Sequence, residues 1–393
     1  MIEVDELETQ HQRALAAAER APMNERYTGR ARSALFAPLA LALLLSACAP
    51  SQFAPVAWEP TPSSVAENVQ GFGPLKLLPT LDGHGPETIV VGPDDWLYTG
   101  VKDGRILRFR PDGVEMEVFA NTGGRANGLA FDGDGNLIVA DSYRGLLSID
   151  PHGTVQVLAT EAEDQPFVFP DGLDIEANGT IWFTDATSRY PDGEFHYEIL
   201  EGQRTGRLIS YDPATRTIEV RASMLRFPNG VALGPGDEYI LVNEMLAYRT
   251  LRHWIRGSKA GTTEVFVDGY SGLPDDIRLA DDGLFWVAFA GYRISLLDWI
   301  QPYPRIKSAL AHGLGWAVPD TDSPMILNPA FAIAIDAQGE VVHRLRDESH
   351  TFLGSTSVLE FRDKLFIGSI SMNAVAVAPR PARHAAGRGG GAA

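Results

Sequence analysis

The stretch that decides the fold is RANGLAFDGDGNLIVADSYRGLLSIDPHG, residues 125–153. Asn127 opens a short apolar run. An Asp-Gly-Asp-Gly turn follows, a second apolar run ends at Asp141, and GLLSI supplies a third. Short β-prone runs separated by Gly- and Asp-rich turns read as antiparallel strands joined by hairpins.

The same grammar recurs along the chain. GPETIVVGPDDWLYTGVKDGRILRFRPDG (85–113) precedes this stretch. FPDGLDIEANGTIWFTDATSRY (169–190), FPNGVALGPGDEYILVNEMLAYRTLRHW (227–254), LPDDIRLADDGLFWVAFAGYR (273–293) and STSVLEFRDKLFIGSISMNAVAVA (355–378) follow it. In each unit a polar residue opens the first strand: Glu87, Asn127, Asp171, Asn229, Asp275 and Thr356, at spacings of 40, 44, 58, 46 and 81 by subtraction. Periods of this size with several strands per unit point to propeller blades, and six units give an all-β, six-bladed β-propeller. A β-sandwich does not repeat one motif so closely. A TIM barrel needs a long helix in every unit, and none is present.

Two insertions break the period. PDGEFHYEILEGQRT (191–205) precedes the last strands of the third unit. SLLDWIQPYPRIKSALAHGLGWAVP (295–319) is expected as a short helical insertion between blades five and six, interrupted by Pro302 and Pro304. It reads as a lid, a membrane-contacting patch or simple packing on the rim. Residues 81–378 are expected to form the propeller, residues 48–80 a Pro-, Ser- and Ala-rich tether, and residues 379–393 a disordered tail.

The chain has 393 residues and a formal net charge of −18, which argues against a nucleic-acid partner because phosphates demand clustered Lys and Arg. The single cysteine, Cys48, excludes an intramolecular disulfide. It ends RARSALFAPLALALLLSAC, in which a basic segment, an apolar run and small residues follow one another as in a secretory leader. Leu-Ser-Ala-Cys is similar to the bacterial lipoprotein signal. That resemblance implies a leader over 1–47, lipidation of Cys48 and a periplasm-facing chain anchored in the bacterial envelope. Ala49 favours the outer membrane. Met23 is an alternative start that gives the leader a more usual length.

Equivalent strand starts in a propeller converge near its axis. Glu87, Asp171, Asn229 and Asp275 thus become one ring of side-chain oxygens, a donor set suited to a hard divalent cation, above all calcium. Three carboxylates held together repel one another unless a cation neutralises them.

VADSYRGLLSIDP, TGRLISYDPATR, FPNGVAL and GLPDDIR…DDGLFWVA resemble the strictosidine synthase-like proteins, especially the adipocyte plasma membrane-associated branch. These belong with the paraoxonases, gluconolactonases and diisopropyl fluorophosphatase. The resemblance spans residues 85–377 and implies a six-bladed propeller. It also implies a calcium held by Glu87, Asp171, Asn229 and Asp275. Asp171 departs from the Asn usual in metal-dependent members, and Asp276 departs from the Asn this branch usually carries beside the ligand Asp. The namesake condensation of an amine with an aldehyde uses a glutamate where this chain has Thr356, four residues before Glu360, so that activity is not expected.

What remains is a metal-dependent ester or lactone hydrolase, with the cation polarising a carbonyl. Asp275 is the candidate nucleophile, after the role proposed for some relatives. Asp185, just after the second strand of its unit, is a candidate base. Of the histidines, His84 lies nearest by chain connectivity, three residues before Glu87, with His196 and His312 as further candidates. No Gly-x-Ser-x-Gly elbow and no phosphate-binding glycine loop is present. A non-catalytic binding module is the rival from another class.

Overall fold

The computed structural model describes residues 52–63, 69–314 and 327–382, all within a compact unit spanning Ala47–Ala393. The expected leader, Cys48 and the tail beyond 382 lie outside the described residues.

Six four-stranded antiparallel meanders are arranged as blades, one per sequence unit. Their innermost strands are Ile89–Val91, Ala126–Phe131, Pro170–Ile175, Pro228–Leu233, Gly272–Leu279 and Ser355–Phe361. Each innermost strand touches the next, and the sixth touches the first, so the ring is closed. The core lies between adjacent blades. Leu129, Val139 and Leu147 of blade 2 pack with Val90 and Ile106 of blade 1, for example. Alternation along each strand sends one set of side chains into each interblade layer, which is why the strands read as nearly continuous apolar runs.

Close approach of the inner strands depends on glycine following the opener. A Cβ at Gly172 would stand 2.6 Å from the Cα of Gly230, and one at Gly230 2.5 Å from the Cα of Asp276. Backbone atoms cannot yield there as a flexible side chain could.

The last blade closes the ring with both ends of the described chain. Lys76–Pro79 forms its outermost strand, paired antiparallel with Ala374–Pro379. Gln70–Gly71 adds a parallel edge to blade 5. The propeller therefore begins before residue 81, and the expected tether is in large part folded. Segment 52–63 is bound as well: Val56 N donates to Glu201 O at 2.9 Å and Trp58 Nε1 to Gln301 Oε1 at 2.8 Å.

Three helices gather on the face that holds the strand openers. Helix α1 (Phe195–Glu201) lies in the blade 3 insertion, and α2 (Ser295–Ile300) and α3 (Pro304–Leu314) in the second. That second insertion sits inside blade 5, between Phe285–Tyr292 and Phe331–Ile335, rather than between blades five and six. The mismatch arises because the last two strands of blade 5 (FAIAI and VVHRLR) carry no opener motif. Pro304 occupies the first turn of α3, where its missing N–H is harmless. Leu200 of α1, Ile300 of α2 and Ala311 of α3 form a small core with Phe53 against it. Among the described residues no helix is long and apolar enough to cross a membrane.

Candidate functional site

The openers reach the channel because the inner strands bulge where they sit. Strand pairing shifts between Pro170 and Leu173, Pro228 and Val231, Pro274 and Ile277, and Ser355 and Val358, so each shift brackets an opener. In the first three a proline precedes the opener and has no N–H for the ladder. A bulge of this kind re-aims a side chain, here toward the axis.

Glu87, Asp171, Asn229 and Asp275 line one pocket, as the repeats predict. Its cavity is ≈ 30 Å³, the volume of an ion or a water molecule or two. All four are nearly inaccessible: 6, 4, 4 and 2 % exposed respectively. Phe169, Phe195, Phe227, Met245, Leu273 and Ile370 make the remaining wall apolar.

Arg125, which the reading of the openers passed over, is the one basic residue among the described residues lining the pocket. It is 3 % exposed. Its guanidinium reaches Glu87 Oε2 at 3.3 Å and Asp192 Oδ2 at 2.7 Å, and its Nε donates to Asn127 Oδ1 at 3.0 Å. Asp192 comes from the loop before α1 and also accepts from the Tyr143 hydroxyl at 2.9 Å. Arg125 thus joins the ring of openers to the helical cap. Asn127 does not enter the donor ring. Its amide nitrogen is spent on Ser142 Oγ and the Pro170 carbonyl.

The charges follow from this geometry. Burial raises the Glu87 carboxyl, and Arg125 opposes that rise. Burial, then the charge of Glu87, lifts Asp171 well above the usual carboxylate range. Asp275 is lifted in the same way by burial, then by Glu87 and Asp171. Burial works against the Arg125 charge, yet Glu87 and Asp192 hold its pKa above the ordinary value. Among the described residues, the side chains of Asp171, Asn229 and Asp275 make no hydrogen bond to another protein group, whereas most buried polar groups in proteins are paired. Buried, unpartnered, mutually repelling oxygens match the chemistry of a hard divalent cation. Against that, one oxygen of Glu87 is engaged by Arg125. Among the described residues no three acidic, histidine or cysteine side chains are drawn together as a ready metal cage.

Asp185 and His84 do not line the pocket. Asp185 is fully buried. Its Oδ1 accepts the N–H groups of Val168 and Phe169 at 3.1 and 2.8 Å, and its Oδ2 binds Arg207 at 2.6 Å. Neither oxygen is free to take a proton from a substrate water. The same device recurs at the second-strand ends of neighbouring blades. Asp141 Oδ1 accepts Arg125 N at 2.9 Å, and Glu244 Oε1 accepts Arg226 N at 2.6 Å while its Oε2 binds Arg249. Asp185 is therefore a latch that holds the loop carrying the opener of its own blade. His84 Nδ1 is bonded to Asn373 Oδ1 at 2.8 Å, on a turn outside the cavity. His312 bonds the Ser308 carbonyl within its own helix, and His196 lies against the Tyr197 ring. Asp276 faces Arg278 at 3.2 Å and donates no oxygen to the pocket wall. The Thr356 hydroxyl donates to the Glu87 carbonyl at 2.9 Å, while Glu360 is bound to Arg380 at 2.5 Å away from the pocket.

The fold and the site define a closed six-bladed propeller with an acidic, partly apolar pocket at its axis. The known proteins agree. A strictosidine synthase model matches residues 171–258, and a model for the N-terminal part of strictosidine synthase-like proteins matches residues 72–109. The Arabidopsis thaliana protein strictosidine synthase-like 13 is 31 % identical over 87 % of this chain and 93 % of its own length. The Gallus gallus adipocyte plasma membrane-associated protein is 36 % identical over 57 % of this chain and 58 % of its own. The chain belongs to the strictosidine synthase-like family. In structure it is similar to a gluconolactonase from Xanthomonas campestris, with a TM-score of 0.57 at 17 % identity over 84 % of this chain and 97 % of that one. It is also similar to regucalcin, a calcium-binding protein from Agrobacterium tumefaciens, with a TM-score of 0.55 at 14 % identity over 80 and 95 %.

Proposed function

We propose that this chain is a calcium-dependent hydrolase of carboxylic esters or lactones, working in the axial pocket. The observation that carries the reading is the set of buried oxygens of Asp171, Asn229 and Asp275, beside Glu87, with no protein partner. Two structural neighbours, a gluconolactonase and a calcium-binding protein, lend support. Glu87, Asp171, Asn229 and Asp275 would hold the cation. Bound there, it supplies charge neutralisation and Lewis-acid polarisation of a carbonyl. The apolar wall of Phe169, Phe195, Phe227 and Leu273 takes the acyl or aryl part of the substrate and excludes water. Asp275 presents an unpartnered carboxylate to the same space and acts as nucleophile or as base toward water. Arg125 fixes Glu87 and tethers Asp192, keeping the cap loop over the pocket. Thr356 offers no acid or base at its position and its hydroxyl is occupied, which disfavours the condensation for which the family is named.

The chain is further proposed to sit at the bacterial envelope through lipid on Cys48. Leu296, Trp299 and Tyr303 of the cap region, exposed at 65, 60 and 46 %, support a face that meets a bilayer.

The decisive experiment measures bound metal in the purified protein together with turnover of phenyl acetate and a lactone panel. Bound calcium, with turnover lost at least tenfold in Glu87→Ala and Asn229→Ala, is the expected result. A stable, metal-free protein that turns over none of these substrates would sink the hydrolase and leave the binding module.

A further inference from the structure

A second cavity, of ≈ 480 Å³, lies away from the axis where the start of the third strand of blade 3 meets the chain entering blade 4. Arg204, Arg207 and Arg226 all line it, with the hydroxyl-bearing Ser188, Thr205 and Ser223. Three guanidiniums in one cleft are unexpected on a chain of net charge −18.

Their engagements leave donors free. Arg204 spends Nε on the Met224 carbonyl at 2.5 Å. Arg226 spends Nε on the Gly202 carbonyl at 3.1 Å, and its guanidinium lies 4.4 Å over the Trp58 ring. Among the described residues neither has a carboxylate within ion-pair distance of its side chain. Glu244, the nearest candidate for Arg226, is bound through Oε2 to Arg249 at 2.6 Å. Arg207 forms the floor. It is neutralised by Asp185, and its terminal nitrogens also donate to Ala162, Gln165 and Pro166, so it adds charge to the floor rather than free donors. Burial lowers the pKa of Arg226 to about 10; Glu244 opposes the fall, and Arg204 and Arg249 add to it.

We propose that this cleft is a binding site for a phosphate group, either free phosphate or the phosphodiester of a phospholipid headgroup. Forked guanidinium donors match tetrahedral oxyanions in geometry and charge, and three hydroxyls supply further donors. The headgroup source has a geometric argument. Val56 lines the cleft, and the eight residues back to Cys48 reach at most about 28 Å. A lipid on Cys48 would hold the cleft near a bilayer surface. The cleft also adjoins the axial pocket through the backbone. Arg226 faces the cleft and Phe227 the pocket, with Phe227 in the left-handed region at φ 50°. The site is argued from its own residues and stands whether or not the axial pocket is a hydrolase.

The test is thermal unfolding of the full chain in an uncharged detergent, titrated with sodium phosphate or with glycerophosphoglycerol against sodium chloride at matched ionic strength. A saturable rise in Tm is expected, about 4 °C at a hundredfold excess over Kd for a domain of this size. Arg204→Gln with Arg226→Gln should abolish the rise. Arg204→Gln alone, at an exposed position, should weaken it about tenfold without disturbing the Trp58 contact, a loss of about 1.4 kcal/mol in binding. Tighter response to glycerophosphoglycerol than to phosphate assigns the headgroup source, and the reverse assigns free phosphate. No saturable response to either compound, or an equal response in the double variant, overturns the proposal.

Discussion

Arg125→Gln is the sharpest test of how the pocket is held together. The change keeps a polar side chain of similar length but removes the charge between Glu87 at 3.3 Å and Asp192 at 2.7 Å. Because Arg125 is only 3 % exposed, solvent cannot replace it. Removing one partner of a buried pair leaves an uncompensated charge and costs about 3–5 kcal/mol. At roughly 0.65 kcal/mol per degree for a domain near 310 residues, that is a fall in Tm of about 5–8 °C. The pH dependence gives the mechanism away. Burial raises Glu87, and Arg125 is what restrains the rise. In the variant, folded Glu87 keeps its proton at a pH where the unfolded chain has released it. Stability then falls as pH increases through that window, so the deficit is small near pH 4 and complete near pH 8. Calcium chloride should restore more stability to the variant than to the parent, since the ring has lost a positive charge. Arg125→Lys should recover most of the loss. Chemical denaturation at pH 4 and pH 8, with and without calcium, reads all of this. A loss below about 1 kcal/mol at pH 8, or an equal loss at both pH values, would refute the role assigned to Arg125.

Glu198 of α1 gives a second pH signature. Burial pushes its carboxyl up to about 8, although the Thr187 hydroxyl donates to it. Its contribution to stability is full below the unfolded pKa near 4.5 and is lost as pH rises through about 8. Glu198→Gln should flatten that part of the stability profile, as urea midpoints at pH 5 and 8.5 will show. Gly230→Ala places a methyl 2.5 Å from the Asp276 Cα, and a destabilisation of about 1–3 kcal/mol is expected; a neutral result would mean that the inner strands are not so closely apposed. Asp185→Asn should lower Tm by several degrees yet leave turnover per folded molecule within about twofold, because Asp185 latches backbone rather than facing substrate. A loss of activity without a loss of stability would restore it as a base.

The blades were legible because a polar residue, a strand and a turn recur in register, and convergence of the openers then follows from the architecture alone. Arg125 was not legible as an opener, since Asn127 holds that position. Its signal is in the column two residues earlier. Phe169, Phe227 and Leu273 stand there in blades 3 to 5 and line the apolar wall, and Arg125 is the charged exception in blade 2. Asp185 and His84 show the opposite failure. Chain connectivity suggested His84 and the end of a second strand suggested Asp185, but the oxygens of Asp185 are used up by backbone N–H groups and Arg207, a matter of hydrogen-bond satisfaction that no spacing reveals. Asp192 belongs to an insertion with no repeat to compare it with, so its contact with Arg125 could come only from tertiary structure. The folding of segment 52–63 was hidden by its Pro-rich composition, which permits extended docking as readily as disorder.

The pairing of Lys76–Pro79 with Ala374–Pro379 sets an order of events during synthesis. This early strand has as its only antiparallel neighbour in the sheet a strand made some three hundred residues later. Until then blade 6 has an open edge, and a contact of such sequence separation is among the slowest to form. Release of residues 374–379 is thus the moment at which the molecule becomes topologically complete. A chain arrested before that point exposes two unpaired strand edges, the geometry that invites association with other chains.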